Sequence, residues 1–200
     1  MYGAPYSTVR NVATRAGKRL LTRDDWTRAA LDALAEGGVR AVAVDRLSKA
    51  LGATRGSFYW HFSDRRELIE EALARWEREN TTDLIPEAEA IGDPVERLRH
   101  LFREVYERPV DAIELALAAA ADDELVAPAF GRVTQARLAF LRRIFTELGL
   151  PEAEARDRAW LAYGLYLGHH QLSRNADARA ARPARLDRIV DLLTSPAPAR

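Results

Sequence analysis

No cysteine occurs in the 200 residues. Disulfides, thiolate metal sites and cysteine nucleophiles are thereby excluded, and the composition fits a reducing cytoplasm. Long apolar runs are missing too. No stretch approaches the roughly 18 uninterrupted apolar residues of a membrane span, so no membrane partner is expected. The first twenty residues hold Arg10, Arg15, Lys18 and Arg19 without the apolar segment of a secretory signal. Lysine is scarce: Lys18 and Lys49 stand against 28 arginines. That bias reads first as genome composition and only weakly as a preference for phosphate.

Catalytic signatures are equally sparse. There is no Gly-rich phosphate loop, no Gly-x-Ser-x-Gly elbow and no His-Glu-x-x-His. The run Asp122-Asp123-Glu124 reads as a solvated helix start rather than a general-acid pair. His169 and His170 are adjacent, so on a helix they point about 100° apart and cannot chelate one metal as i, i+4 histidines do. No enzyme, metal site or cofactor is expected.

Net charge is zero, which argues against nucleic acid until its distribution is examined. Residues 1–66 carry 12 Lys+Arg against 6 Asp+Glu, whereas residues 67–200 carry 18 against 24. A basic first third on an acidic remainder is the charge pattern of two functions in one chain. Chance is the plain alternative.

What is present is helical periodicity, nearly throughout. Residues 1–19 lack it and read as a flexible basic arm. Thr22 can cap a first helix with Asp25 in capping-box position, and Leu21 and Trp26 stand at the staple positions. Trp26, Ala30, Ala33 and Leu34 make its buried stripe, and Gly37-Gly38 stops it. A second helix runs from about Val44 to Leu51 without a Ser or Thr cap. Gly52 breaks it. Thr54 caps a third through about His61, and Ser63 or Asp64 caps a fourth, with Asp64 and Glu67 at capping-box spacing. Residues 81–93, with Pro86 and Gly92, read as a linker. Asp93-Pro94 opens a further set of helices: one that Pro109 ends, an alanine-rich segment at 110–121, then about 128–148, 151–172 and 186–193. The tail at 195–200 reads as disordered. The expectation is an all-α chain: arm 1–19, a three-helix DNA-binding domain at 20–80, a second helical domain at 81–194, and tail 195–200.

The segment 44–66, VDRLSKALGATRGSFYWHFSDRR, holds two short helices joined by a Gly-containing turn. That is helix-turn-helix geometry, in which the second helix enters the major groove. Its first turn offers Thr54, Arg55, Gly56 and Ser57, with backbone amides that can receive a phosphate. Gly56 weakens the helix but lets DNA approach closely. Arg55 suits a base edge, because guanidinium pairs with guanine. Tyr59, His61 and Arg65 follow as phosphate contacts, which position without specifying. Phe58 and Phe62, four apart, read as core. Trp60 can either pack or touch the DNA backbone.

These residues closely resemble the DNA-binding domain of the TetR family of regulators. Three features carry the likeness: Leu47…Leu51-Gly52, the run Gly56-Ser57-Phe58-Tyr59-Trp60-His61-Phe62, and the polar turn Ser63-Asp64-Arg65-Arg66. The likeness is specific over roughly residues 20–80 and only architectural beyond. It implies a homodimer on a pseudo-palindromic operator, with DNA contacts at Thr54, Arg55, Gly56, Ser57, Tyr59, His61 and Arg65. It also implies a small-molecule pocket and a four-helix dimer interface in the C-terminal helices, and usually repression. The chain departs from the family at Val42 and Ala43, where many members carry Ser or Thr, so no contact is expected from the second helix. Arg15, Lys18 and Arg19 can reach phosphates, or the arm can simply be solvated.

In the C-terminal part, His100, Tyr106, Glu114, Trp160, Tyr163, Tyr166 and His169 interrupt apolar helices and can orient a ligand in a mostly apolar pocket. Each also has a plain reading as a core or surface group. The helix at 152–172 is apolar on two faces, one with Trp160, Tyr163, Gly164, Leu167 and Gln171, the other with Leu161, Leu165, Gly168 and Leu172. Such a helix must be covered twice, by its own core and by a second subunit through the helices at about 128–148 and 152–172. A single core wrapped around both faces is the alternative. An architectural DNA-binding protein without an inducer is the rival function. A cavity at 94–194 would favour the sensor, and a solid core the rival.

Overall fold

A computed structural model describes residues 20–107, 112–172 and 182–195. The expected arm at 1–19 and, but for Ser195, the expected tail at 195–200 lie outside these residues. Among the described residues every regular element is helical.

The first helix, α1 (Arg23–Ala41), starts where the capping box demands. The Thr22 side chain accepts from Asp25 N, and the Asp25 side chain accepts from Thr22 N. Gly37 (φ −153°) and Gly38 (φ +65°) break it, and a short helical piece continues to Ala41. Then come α2 (Val44–Ala50), α3 (Arg55–Tyr59) and α4 (Arg65–Glu77). Gly52, at φ +62° between α2 and α3, makes the turn that a side chain would strain. Asp64 caps α4 by accepting from Glu67 N. Glu67 completes the cap one residue further out than expected, accepting from Ser63 N and Ser63 Oγ, both at 2.7 Å.

The segment read as a linker is ordered helix instead. α4 passes into a π-helical turn (Arg78–Thr82), and α5 (Leu84–Glu89) follows directly. Pro86 does not break α5 because it lies in the first turn, where its missing N–H forfeits no helix bond. Thr81 and Ala88 are buried, so tertiary packing holds a stretch whose composition looks like a loop. Asp93 Oδ1 accepts from Val95 N and Glu96 N and opens α6 (Pro94–Glu107). Next are α7 (Ala112–Ala119), α8 (Ala127–Glu147), α9 (Glu152–Leu172) and α10 (Arg182–Thr194).

Two hydrophobic cores result, and they do not divide at residue 80. The first gathers Trp26, Leu34, Leu47, Phe58, Phe62, Leu68, Leu73 and Trp76 from α1–α4, but also Leu117 of α7 and Val126, Ala129 and Val133 around the start of α8. The second joins α6, the end of α8, α9 and α10 through Leu98, Phe102, Phe140, Ile144, Phe145, Ala159, Leu186 and Val190. α8 serves both. The core of the 20–80 segment is therefore shared with α7 and the start of α8, and α1 packs on α7 as well as on α4. Between the two cores, the end of α4, its π-turn, α7, α8 and α9 converge.

Candidate nucleic-acid interface

Phe58 is the anchor of the short α3. Fully buried, it meets Trp26 edge-on with ring centroids 5.4 Å apart and stacks on Phe62 at 5.6 Å. Four-residue spacing puts these two rings on one side of the chain, and neighbouring positions must point outward. Tyr59 is 60% exposed and Trp60 88%. Thr54 caps the helix, its Oγ1 accepting from Ser57 N at 3.2 Å. The Ser57 amide is thereby already satisfied. A Cβ at Gly56 would meet only Thr54 Oγ1, at 3.6 Å, so the chain itself does not require glycine there. Arg55 is exposed but held: its Nη2 donates to Asp45 Oδ2 at 2.6 Å, and its Nε to Asp45 Oδ1. This two-pronged pair ties α3 to α2 and leaves Nη1 pointing clear of Asp45. The carboxylate raises the Arg55 pKa above its ordinary value.

His61 and Arg65 stand differently. His61 is half-buried, with Nε2 2.9 Å from Leu21 O. Arg65 Nε and Nη2 donate to Val42 O and Val39 O. These carbonyls lie at the C-terminal end of α1, where Val39 O also accepts from Val42 N, and Arg65 adds side-chain donors to them. Both side chains thus fasten the motif to the ends of α1, His61 just before its start and Arg65 at its finish.

A second fastening was not foreseen. Arg23 spans from α1 to α4, with Nη2 2.7 Å from Glu67 Oε1 and 2.6 Å from Glu71 Oε2, and Nε 3.0 Å from Glu71 Oε2. It also donates to His61 O and lies 4.2 Å from the Phe62 ring centroid. Arg23 and the two donors of Ser63 lower the Glu67 pKa to about 2, and Arg23 likewise lowers that of Glu71. The far end of α4 is tied to α8, where Arg132 Nη2 reaches Glu77 Oε2 at 2.6 Å and Trp76 stacks on Phe130 at 6.3 Å.

Of the candidate ligand positions, Glu114, Tyr163 and Tyr166 come together around a residue that sequence reasoning overlooked, Arg137. Glu114 is fully buried. Arg137 Nη1 donates to Glu114 Oε1 at 2.8 Å and Nη2 to Oε2 at 3.3 Å; Nε donates to Thr81 Oγ1 at 3.0 Å and Nη2 to Asn80 O at 3.1 Å. The guanidinium lies 5.2 Å from the Tyr166 ring centroid and 5.9 Å from that of Trp76. Tyr163 and Tyr166 stack at 5.8 Å, and the Tyr163 hydroxyl lies 3.3 Å from Thr134 Oγ1. Burial raises the Tyr163 pKa and keeps it neutral. A signal for Arg137 existed: it stands four residues after Val133 and three before Phe140, on the buried stripe of α8. His100 and His169 are half-buried on α6 and α9. The Tyr106 side chain lies outside the described residues.

Trp160 falls elsewhere, 62% exposed on an outward stripe of α9 with Leu161 (61%), Leu165 (39%) and Leu172 (66%). The inward face is Ala155, Ala159, Ala162 and Tyr163. The two faces of α9 are thus divided between Trp160 and Tyr163, which the sequence reading had grouped. A surface groove of about 210 Å³ beside Trp160 is lined by Gln135, Leu138, Ala139 and Arg142 of α8. Another, of about 300 Å³, lies at Arg142, Arg143 and Glu152. Neither touches Glu114, Tyr163 or Tyr166. Among the described residues no cluster of His, Asp and Glu could hold a metal ion, and no helix is long and apolar enough to cross a membrane.

This arrangement has known counterparts. The family model described as bacterial regulatory proteins, tetR family, matches residues 27–72, from within α1 to within α4. The HTH-type transcriptional regulator AcrR of Shigella flexneri is 33% identical over 93 residues, 44% of this chain and 42% of that regulator. The aligned stretch thus spans less than half the length of that curated relative. Solved structures extend the likeness in fold. Escherichia coli NemR in its reduced form superposes with a TM-score of 0.68 at 16% identity, over 86% of this chain and 94% of that one. Bacillus subtilis FadR in complex with stearoyl-CoA gives 0.62 at 17% identity, over 87% and 98%. With the helix-turn-helix in place, residues 27–72 carry the DNA-binding region of the tetR family of bacterial regulatory proteins, and the whole chain shares the fold of these solved structures.

Proposed function

We propose that this protein is a sequence-specific DNA-binding transcriptional regulator, acting as a homodimer in the cytoplasm and releasing its operator when a small molecule binds. One observation carries the reading. α3 is locked to the core by Phe58 while Arg55, Tyr59 and Trp60 stand exposed around it. In this reading residues 20–80 do the DNA work. Arg55 reads a base edge, and Thr54, Gly56, Ser57, Tyr59 and Trp60 lie along the phosphates. His61 and Arg65 stand beside the phosphates too, and their bonds at the ends of α1 also set the pose of α3.

The homodimer rests on the outward stripe of α9. Trp160, Leu161, Leu165 and Leu172 form an exposed apolar patch next to the α8 groove, and an apolar patch of this kind marks an interface. A two-fold axis there sets two copies of α3 in successive major grooves, about 34–36 Å apart. FadR, of like fold, is a protein solved with stearoyl-CoA, which supports an effector in residues 81–194. Effector and operator then weaken each other equally.

The test is selection of bound duplexes from a random pool, followed by effector titration with and without the selected operator. A pseudo-palindrome with half-sites one helical turn apart is expected, and enrichment of no sequence would refute the reading. A second reading keeps the DNA binding but drops the inducer. An ion pair, rather than a void, occupies the place where Glu114, Tyr163 and Tyr166 meet, which favours an architectural regulator. Equal affinity of an effector for the operator-bound and free protein would support that alternative.

A further inference from the structure

The groups around the Arg137 guanidinium share one chemical character. The Glu114 carboxylate, the Thr81 hydroxyl oxygen and the Asn80 carbonyl all accept hydrogen bonds, while Trp76 and Tyr166 present ring faces. Ring faces are negative in their quadrupole and attract cations. Arg137 supplies a counter-charge to the fully buried Glu114 carboxylate, whose burial as a bare charge would be costly. The site is built for a cation and is filled by the chain's own. We infer that the effector is an organic cation, of the guanidinium, amidinium or protonated-amine class, that takes the place of Arg137 against Glu114 and the aromatic faces. This rests on the reading of the chain as an effector-responsive regulator. An anion in the same place would face Glu114, Asn80 O and two ring faces, each of which repels it.

The bonds of Arg137 also say what displacement does. Two of them reach Asn80 and Thr81 in the π-turn that ends α4. At its other end α4 holds the helix-turn-helix through Arg23, Glu67 and Glu71. A cation that satisfies Glu114 without reaching the π-turn frees the end of α4, and the change arrives at α3 along one helix. Arg137 is thus both the plug of the site and the link to the DNA-binding end.

The experiment empties the site in the full chain. Arg137→Ala is expected to bind the selected operator about 5-fold or more weakly than wild type, the lower end of typical couplings. Millimolar methylguanidinium is expected to raise its melting temperature without restoring operator affinity, because it satisfies Glu114 but is not joined to α8, while acetate at equal ionic strength does neither. Arg137→Ala/Glu114→Ala is expected not to respond. An equal response of the single and double variants, or rescue by acetate, overturns the cation assignment. Rescue of operator affinity together with melting temperature overturns the link from α8 to α4. If Arg137→Ala does not fold, the wild-type chain is titrated with benzamidine, benzoate and benzamide, three probes of one shape. Loss of operator affinity with benzamidine alone supports the inference; loss with benzoate, or with none, overturns it. Failure of the regulator reading is separable, since wild type would then select no operator at all.

Discussion

The exposed polar bonds of α3 and the buried bonds of Arg137 are made in opposite ways. Around α3 the cap, the glycine turn and the Arg55–Asp45 pair all join residues within about ten positions of one another, and the pair is exposed. Around Arg137 the partners lie 23, 56 and 57 residues away, and Glu114 is fully buried. Local bonds on a surface can be exchanged for bonds to DNA at little cost. Remote bonds in a core cannot be exchanged without moving helices. The first region suits reading, and the second suits coupling.

Substitutions can break this contrast, beginning with the largest effect. Phe58→Ala is expected to cost about 3–5 kcal/mol in chemical denaturation, because it empties the aromatic contact on which α3 rests. Glu114→Ala is expected to cost a similar amount, about 3–5 kcal/mol, by leaving the Arg137 charge buried and unpaired. A negligible loss in either variant would remove that region's claim to its anchor. Arg55→Ala comes next, costing about 1–3 kcal/mol of binding at one base position per half-site in competition with mutated operators. A loss uniform across sequences would make Arg55 a phosphate contact instead. Asp45→Ala is smaller, since an exposed pair contributes about 1 kcal/mol or less. It is expected to tighten binding to random duplex while blurring the preference for the operator; sharper selectivity would mean that Asp45 restrains Arg55 rather than aims it.

The pH dependence tests the tie between α1 and α4. Glu67 has a lowered pKa when folded, so its contribution is present above the ordinary carboxylate range near 4.5 and is lost as pH falls toward about 2. Melting temperature should therefore drop across that window, and Glu67→Gln should flatten the drop. Identical pH profiles for the two proteins would mean that Arg23 does not need this carboxylate.

The same contrast explains what was legible in the sequence. Caps at Thr22, Thr54 and Asp64, the breaks at Gly37, Gly38 and Gly52, and the Phe58–Phe62 spacing are short-range signals, and the structure bears out the all-helical fold they imply. The bonds of His61 to Leu21 O and of Arg65 to Val39 O and Val42 O were not legible, because they join positions 23 to 40 residues apart. Residues 81–93 misled for a related reason: proline and acidic side chains look like a loop until Thr81 and Ala88 are seen to be buried. Glu114, Tyr163 and Tyr166 were singled out by polarity alone. What gathers them, a cation on the apolar stripe of α8, is visible only when periodicity is searched for the wrong residue type as well as for the right one.

The four tryptophans are distributed so that each watches a different event. Trp26 and Trp76 are buried, Trp60 and Trp160 exposed. Emission from the first pair should be blue-shifted and shielded from soluble quenchers, and that from the second red-shifted and quenched. Trp60 lies exposed just after α3, Trp160 on the α9 stripe, and Trp76 under the Arg137 guanidinium. Proteins with a single tryptophan kept at each position would report operator binding, subunit association and occupancy of the buried site as separate optical signals, without an added label.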